Sequence, residues 1–204
     1  MKRAGLYGGS FDPVHLGHLL VAEAALEEFR LDRLFVVPAA QSPFKPGTTP
    51  TEGRTRLRLL RLAFAGSPRI EIDDREIRRG GVSYSVDTAS EFADRFPGAT
   101  LTWLIGADHL RSLPLWRNAD QLARLVEFVV IPRPGIEPCP TPPGFRIHVL
   151  RGFPLALSAS EVRARAAAGL SIRHLVPPAV AEAIESERLY RASDNSGLVP
   201  RPVF

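Results

Sequence analysis

A doubly wound α/β fold, with a parallel sheet covered by helices on both faces, is the class that this sequence predicts. Three observations carry that prediction. Short apolar runs alternate with helical patterns of roughly 10–15 residues along most of the chain. Some of the runs, such as Leu34–Pro38 and Leu101–Gly106, read as strands buried on both faces. The first run is followed by a glycine-rich turn that opens a helix, the usual place for a ligand in such sheets.

The elements follow in order. Arg3–Gly8 reads as a strand, and His18–Phe29 as a helix with Leu19, Ala22, Leu26 and Phe29 on one stripe. Leu34–Pro38 is a second buried strand. Ala39–Gly53 holds three prolines and two glycines and is a loop. Arg54–Ala65 is a helix whose arginines are expected to face water and whose leucines face the core. Ile70–Asp73 is a short strand, Ser85–Phe96 a helix and Leu101–Gly106 a strand. Asn118–Arg124 is helical and leads into the strand Val126–Ile131. Pro132–Gly144 is a proline-rich loop, and Ile147–Leu150 is the last strand. Ser158–Ala168 and Pro178–Glu187 are closing helices. One domain over 1–191 is expected, with a small C-terminal helical part at about 152–191. Residues 192–204 are expected to be a disordered tail, native or left from an expression vector.

Composition bounds the function. The chain has 204 residues, enough for one sizeable core. No apolar run approaches the ~20 residues that span a bilayer, so no membrane partner is expected. Met1-Lys2-Arg3 runs straight into a strand without the apolar segment of a signal peptide, and the cytoplasm is the expected location. Cys139 is the only cysteine, so neither an intrachain disulfide nor a cysteine-based zinc site is available. Net charge is +4, and Lys2 and Lys45 are the only lysines among 26 basic residues. The excess is arginine, spread along the chain and densest over Arg54, Arg56, Arg58 and Arg61. It suits anionic small substrates. No basic tract interleaves with aromatics, so nucleic acid is not expected as a partner. A homo-oligomer is left open.

The richest segment is Gly8-Gly9-Ser10-Phe11-Asp12-Pro13-Val14-His15-Leu16-Gly17-His18. A glycine-rich turn between strand and helix aims backbone N–H groups and a helix N-terminus at one point, which suits phosphate. It is neither G-x-G-x-x-G nor the P-loop, because its glycines stand at 8, 9 and 17 and no lysine follows. His15 and His18, three apart, share a face of the first helical turn. They can donate to phosphate oxygens. They could instead form a metal site, but metal pairs on helices favour i, i+4 spacing and no third ligand lies nearby. No protein metal site is assigned. Asp12 is expected to cap the helix.

G-x-F-D-P-x-H-x-G-H resembles the signature of nucleotidyltransferases that join a phosphate to the AMP part of ATP. With the segments below, the chain is most similar to the bacterial nicotinate-nucleotide adenylyltransferases, over about Arg3 to Tyr190. The resemblance implies a Rossmann-like fold and in-line attack by the acceptor 5′-phosphate on the α-phosphorus of ATP. Pyrophosphate would leave, with no covalent enzyme intermediate. It implies ATP with Mg²⁺, and nicotinate mononucleotide as acceptor.

The implied site residues are these. Gly8, Gly9, Ser10, Phe11, His15 and His18 meet ATP, and the two histidines contact the transferring phosphate. Pro38–Lys45 is similar to the family's P-x-x-x-x-P-x-K loop, in which Lys45 supplies a flexible charge; Phe44 replaces the more usual histidine. Val82–Thr88 resembles the segment that offers backbone N–H groups to the nicotinate carboxylate, through Tyr84 and Ser85, while Ser85 could simply begin a helix. Trp103–Asp108 resembles the I-G-A-D element, in which Gly106 allows close approach and Asp108 accepts from ribose hydroxyls or caps the next short helix. Trp116 matches the residue that stacks on the pyridine ring, although a lone tryptophan is commonly core. Arg133, in an R-P-G element, could hold the mononucleotide phosphate. Leu157–Arg163 resembles I-S-S-T-x-I-R, with Ser158, Ser160 and Arg163 at the triphosphate and Ala159 in place of the second serine. Ser158–Glu161 also has capping-box spacing.

Other readings stay open on residues alone. The acceptor could be nicotinamide mononucleotide or phosphopantetheine. A nucleotide sensor without turnover would keep the same turn. A fragment related to class I tRNA synthetases would share H-x-G-H, but no K-M-S-K-S-like segment is present.

Overall fold

The computed structural model describes residues 1–44, 49–133, 135, 140–153 and 155–191. Lys45, Cys139 and the tail 192–204 lie outside the described residues. The described chain forms six strands, β1 (Arg3–Gly9), β2 (Arg33–Pro38), β3 (Ile70–Ile72), β4 (Thr100–Gly106), β5 (Val126–Ile131) and β6 (Ile147–Val149). Its helices are α1 (Leu16–Glu28), α2 (Gly53–Ala63), α3 (Arg75–Arg79), α4 (Ser85–Arg95), α5 (Ala119–Leu125), α6 (Ala159–Ala167) and α7 (Pro178–Ser186), with a 3-10 segment over Ala107–Leu115. Strand order is β3-β2-β1-β4-β5-β6, and every pairing is parallel. This is the expected doubly wound, Rossmann-like sheet.

Alternation along the strands makes two cores. Leu34 and Val36 of β2, Tyr7 of β1, Leu104 of β4 and Val129 of β5 face α1, α2, α6 and α7. Phe35 and Val37, Leu6, Trp103 and Phe128 face α4 and α5 on the other side. Val162 of α6 and Val180 and Ile184 of α7 are fully or almost fully buried in the first cluster, beside Leu26 and Leu59. The C-terminal helices therefore cover the sheet rather than hang from it.

Two expectations fail at the residue level. The short α3 follows Asp73 and Asp74, where no helix was expected; its five residues are too few for periodicity to register. In α2 the arginines do not all face water: Arg56 is 1% exposed. Its place three and four residues before Leu59 and Leu60 puts it on their buried stripe.

The chain order reverses between β1 and β4, whose registers on each other run to Tyr7–Leu104. Connections from the two strands leave in opposite directions there, so a crevice opens beyond their carboxyl ends. Gly8–His18 and Gly106–His109 meet at that crevice.

Candidate active site

The turn after β1 is held by packing. Phe11 has φ +46°, a left-handed backbone that a bulky residue adopts only when its surroundings compel it. Its ring is buried edge-on to Tyr7, with centroids 5.3 Å apart, and to His18, at 4.9 Å. Gly9 makes room for this arrangement, because a Cβ there would stand 3.1 Å from the Phe11 ring.

His15 is the N-cap of α1, so the helix begins two residues before the expected start. The His15 N–H donates to His18 Nδ1 at 3.2 Å, and the two imidazoles stack with centroids 3.7 Å apart. Burial pushes the His15 imidazole down to about 4, with the Arg133 charge acting the same way and Glu161 opposing. His18 is held well below the usual imidazole range by burial, then by His15 and Arg133. Two neutral rings thus sit together at the helix N-terminus. The first turn of α1 carries no acidic residue to neutralise the positive end of its dipole. His15 Nδ1 has no hydrogen-bond partner among the described residues. An arriving phosphate would favour imidazolium at this point.

Asp12 does not cap α1. Its Oδ2 accepts from the Thr51 N–H at 3.0 Å and its Oδ1 from the Tyr190 hydroxyl at 2.9 Å. Proximity in sequence suggested a cap, but His15 occupies that position and Asp12 turns toward α2 and the C-terminal segment.

The segments before α6 and before α7 both lie against the start of α1. Leu16 N–H donates to Leu175 O at 2.9 Å, and a Cβ on Gly17 would come within 3.9 Å of Leu157 O. Ser158 caps α6 in the expected capping box: its Oγ accepts from Glu161 N–H at 3.2 Å and donates to the Glu161 carboxylate at 2.7 Å. Arg163 donates to the Asp12 carbonyl and, at 3.2 Å, to Ser160 Oγ. Ser160 and Arg163 are therefore joined to the turn that carries the histidines.

Across the crevice the wall is half open. Gly106 ends β4, and a Cβ there would fall 2.3 Å from Asp108 Oδ1, so a larger residue would displace that carboxylate. Asp108 pairs with Arg133 Nε at 3.3 Å. The Trp116 ring lies 5.2 Å from Phe44 and 6.0 Å from His109, and Phe44 lies 4.8 Å from His109. These three rings form an aromatic wall of which the sequence indicated only the tryptophan. Tyr84 is the N-cap of α4, with Ser85 its first helical residue. The Arg117 guanidinium lies 4.5 Å over the Tyr84 ring. Behind this wall Glu76 is buried; Thr88 Oγ1 donates to its carboxylate, as does the Ser83 hydroxyl. Ala40 N–H donates to Ser83 Oγ at 3.0 Å, and Ser83 N–H to Gln41 O at 2.9 Å.

With that geometry in view, the family model described as cytidylyltransferase-like matches residues 6–165, from inside β1 into α6. The chain belongs to this family. Curated relatives include proteins named "Probable nicotinate-nucleotide adenylyltransferase" from Opitutus terrae and Shouchella clausii. The first is 45% identical over 94% of this chain and 99% of the relative. The second is 40% identical over 93% and 97%. By sequence the chain stands among the nicotinate-nucleotide adenylyltransferases. Among solved structures, a Plasmodium falciparum nicotinic acid mononucleotide adenylyltransferase complexed with NaAD superposes with a TM-score of 0.77. It is 19% identical, over 93% of this chain and 98% of that one, a likeness of fold.

Proposed function

We propose that the protein transfers the adenylyl group of ATP to nicotinate mononucleotide, giving deamido-NAD and pyrophosphate in NAD biosynthesis. The observation that carries this reading is the stacked, neutral His15–His18 pair at the N-terminus of α1, placed at the sheet's switch point. The relatives' names direct the choice of acceptor. The working unit is residues 1–191, whose C-terminal helices share the main core, and we place it in the cytoplasm. No helix of the described residues is long and apolar enough to cross a membrane.

The chemistry follows from charge. An oxygen of the acceptor's 5′-phosphate bonds to the α-phosphorus while the bond from that phosphorus to the bridging oxygen breaks. Pyrophosphate carries away the electron pair. No protein nucleophile is needed, so catalysis is positioning and stabilisation of spread negative charge. His15 and His18 donate to the transferring group. Gly8, Gly9, Ser10 and Phe11 let ATP approach the turn. Ser158, Ser160 and Arg163 meet the triphosphate, with Lys45 assigned by sequence alone. On the acceptor, Trp116 stacks on the pyridine, and Tyr84 and Ser85 offer the start of α4 to the carboxylate. Gly106 and Asp108 receive the ribose, and Arg133 the mononucleotide phosphate.

Nucleotidyltransferases of this kind use ATP with a divalent metal, here taken as Mg²⁺. No group of three or more His, Cys, Asp or Glu able to hold an ion stands among the described residues. The ion is therefore read as part of the ATP substrate, bound through its phosphates.

Pyrophosphate release with ATP and each candidate acceptor tests the reading. Release with nicotinate mononucleotide, well above that with nicotinamide mononucleotide or phosphopantetheine, is expected. Release only with another acceptor would overturn the substrate and leave the chemistry standing. No release with any acceptor, while ATP still binds, would point to a sensor.

A further inference from the structure

Arg56 is among the largest fully buried side chains in the molecule, and none of the expected functions uses it. Its hydrogen bonds all go to main-chain carbonyls: Nε donates to Thr51 O, and Nη1 to both Ser10 O and Ala39 O, each at 2.8 Å. A leucine would occupy this stripe at lower cost, as Leu59 and Leu60 do on the next turn, since a buried guanidinium forfeits its hydration. Burial lowers the affinity of Arg56 for its proton, while Asp12 and Tyr190 oppose that. An arginine remains charged through such shifts.

The three acceptors share a position rather than a chemistry. Ser10 is the first residue beyond β1, and Ala39 the first beyond β2. Thr51 stands two residues before α2 and so ends the connection that Ala39 begins. One planar fork thus fixes the histidine-bearing turn to both ends of the β2–α2 connection. Asp12 strengthens the same joint, because it takes the Thr51 N–H and the Tyr190 hydroxyl on its two oxygens. From Ser10 the constraint passes to Phe11, whose ring lies against His18.

We propose that Arg56 is a positioning residue for adenylyl transfer: by holding Ser10, Ala39 and Thr51 together it fixes the His15–His18 turn to the end of β2 and the approach to α2, so that the two histidines are set before a phosphate arrives. This rests on the reading of the site as a nucleotidyl-transfer centre. An ångström of slack at such a centre costs rate far more than ground-state binding. Lysine keeps the charge but has no planar fork to hold three carbonyls at once.

The test is steady-state kinetics of Arg56→Lys and Tyr190→Phe beside the wild type, each assayed well below its own melting temperature. For folded Arg56→Lys the expected result is a kcat lowered at least about tenfold, with KM for ATP and for the acceptor within about threefold. For Tyr190→Phe, which loses one hydroxyl, a smaller fall of about threefold to tenfold in kcat is expected, again at constant KM. A folded Arg56→Lys enzyme with wild-type kcat, or one whose loss lies wholly in KM, overturns the proposal. Should Arg56→Lys not fold, Tyr190→Phe decides, and unchanged kcat there overturns it. A wild type that uses an acceptor other than nicotinate mononucleotide overturns the substrate reading alone, and the same comparison then runs on that acceptor.

Discussion

Around the carboxyl ends of β1 and β4, one crevice carries two differently built walls. On the β1 side Phe11, Asp12, His15 and Arg56 are all buried, at 8% exposure or less; hydrogen bonds hold Asp12, Arg56 and the His15 N–H, while His15 Nδ1 has no partner among the described residues. On the β4 side Phe44 is 46% exposed, and the side chains of Arg133 and Arg117 are more than half exposed. The difference suits the two tasks proposed above for these walls. Stabilising charge on a transferring phosphorus requires donors fixed before the reaction, and a buried joint held through Asp12 and Arg56 provides that. Recognising a flat ring requires aromatic faces and tolerates side chains that adjust.

The largest effect should come from the buried wall. His18→Ala is expected to lower kcat at least about 10²-fold, the range seen when one electrostatic donor is removed, with KM for the acceptor within about threefold. Steady-state kinetics on folded protein checks this, and a near-normal kcat would break the contrast between the walls. The same pair ties stability to pH. Folded His15 titrates near 4 against an ordinary imidazole value of 6.5, so below 6.5 the unfolded chain binds the extra proton. Stability is therefore lost as pH falls from about 6.5 toward 4, by about 3 kcal/mol from His15 alone. Thermal melts across that range should show the loss, and saturating ATP should reduce it, because phosphate favours imidazolium. On the open wall, Trp116→Ala should raise KM for the acceptor up to about tenfold, with kcat within about threefold, as loss of one ring stack implies. An equal fall in kcat would mean that the tryptophan also serves the transfer.

Legibility in the sequence followed the same divide. The sheet and the glycine-rich turn between β1 and α1 were readable because both are local: apolar runs of strand length, and glycines and histidines within eleven residues. Of the aromatic wall only Trp116 was readable, and that through resemblance, since Phe44, His109 and Trp116 come from two distant segments. Arg56 was misjudged because charge was weighed above periodicity; its spacing from Leu59 and Leu60 already placed it inward. Asp12 was given a cap by adjacency, whereas its partners Thr51 and Tyr190 lie 39 and 178 residues away and no local pattern points to them.

A subtler prediction concerns the charge buried behind the open wall. Glu76 is 4% exposed, and burial, only partly offset by Thr88 and Ser83, raises its carboxyl above the usual range. The folded protein then holds that proton more tightly than the unfolded chain. Its stabilising contribution is full below the ordinary glutamate value and is lost as pH rises through the folded one. This sign is opposite to that of His15, so the two walls bracket a pH of greatest stability from different sides. Glu76→Gln keeps an acceptor for the Thr88 hydroxyl and removes the titration. Its melting temperature should match the wild type at the acid end of the range and equal or slightly exceed it once the pH has risen far enough to ionise the wild-type carboxyl. Ser83 links Glu76 to the Ala40 N–H, so the acceptor KM should follow the same small trend while kcat stays level. A melting temperature lowered at every pH would instead show that the charged carboxylate is what holds the wall.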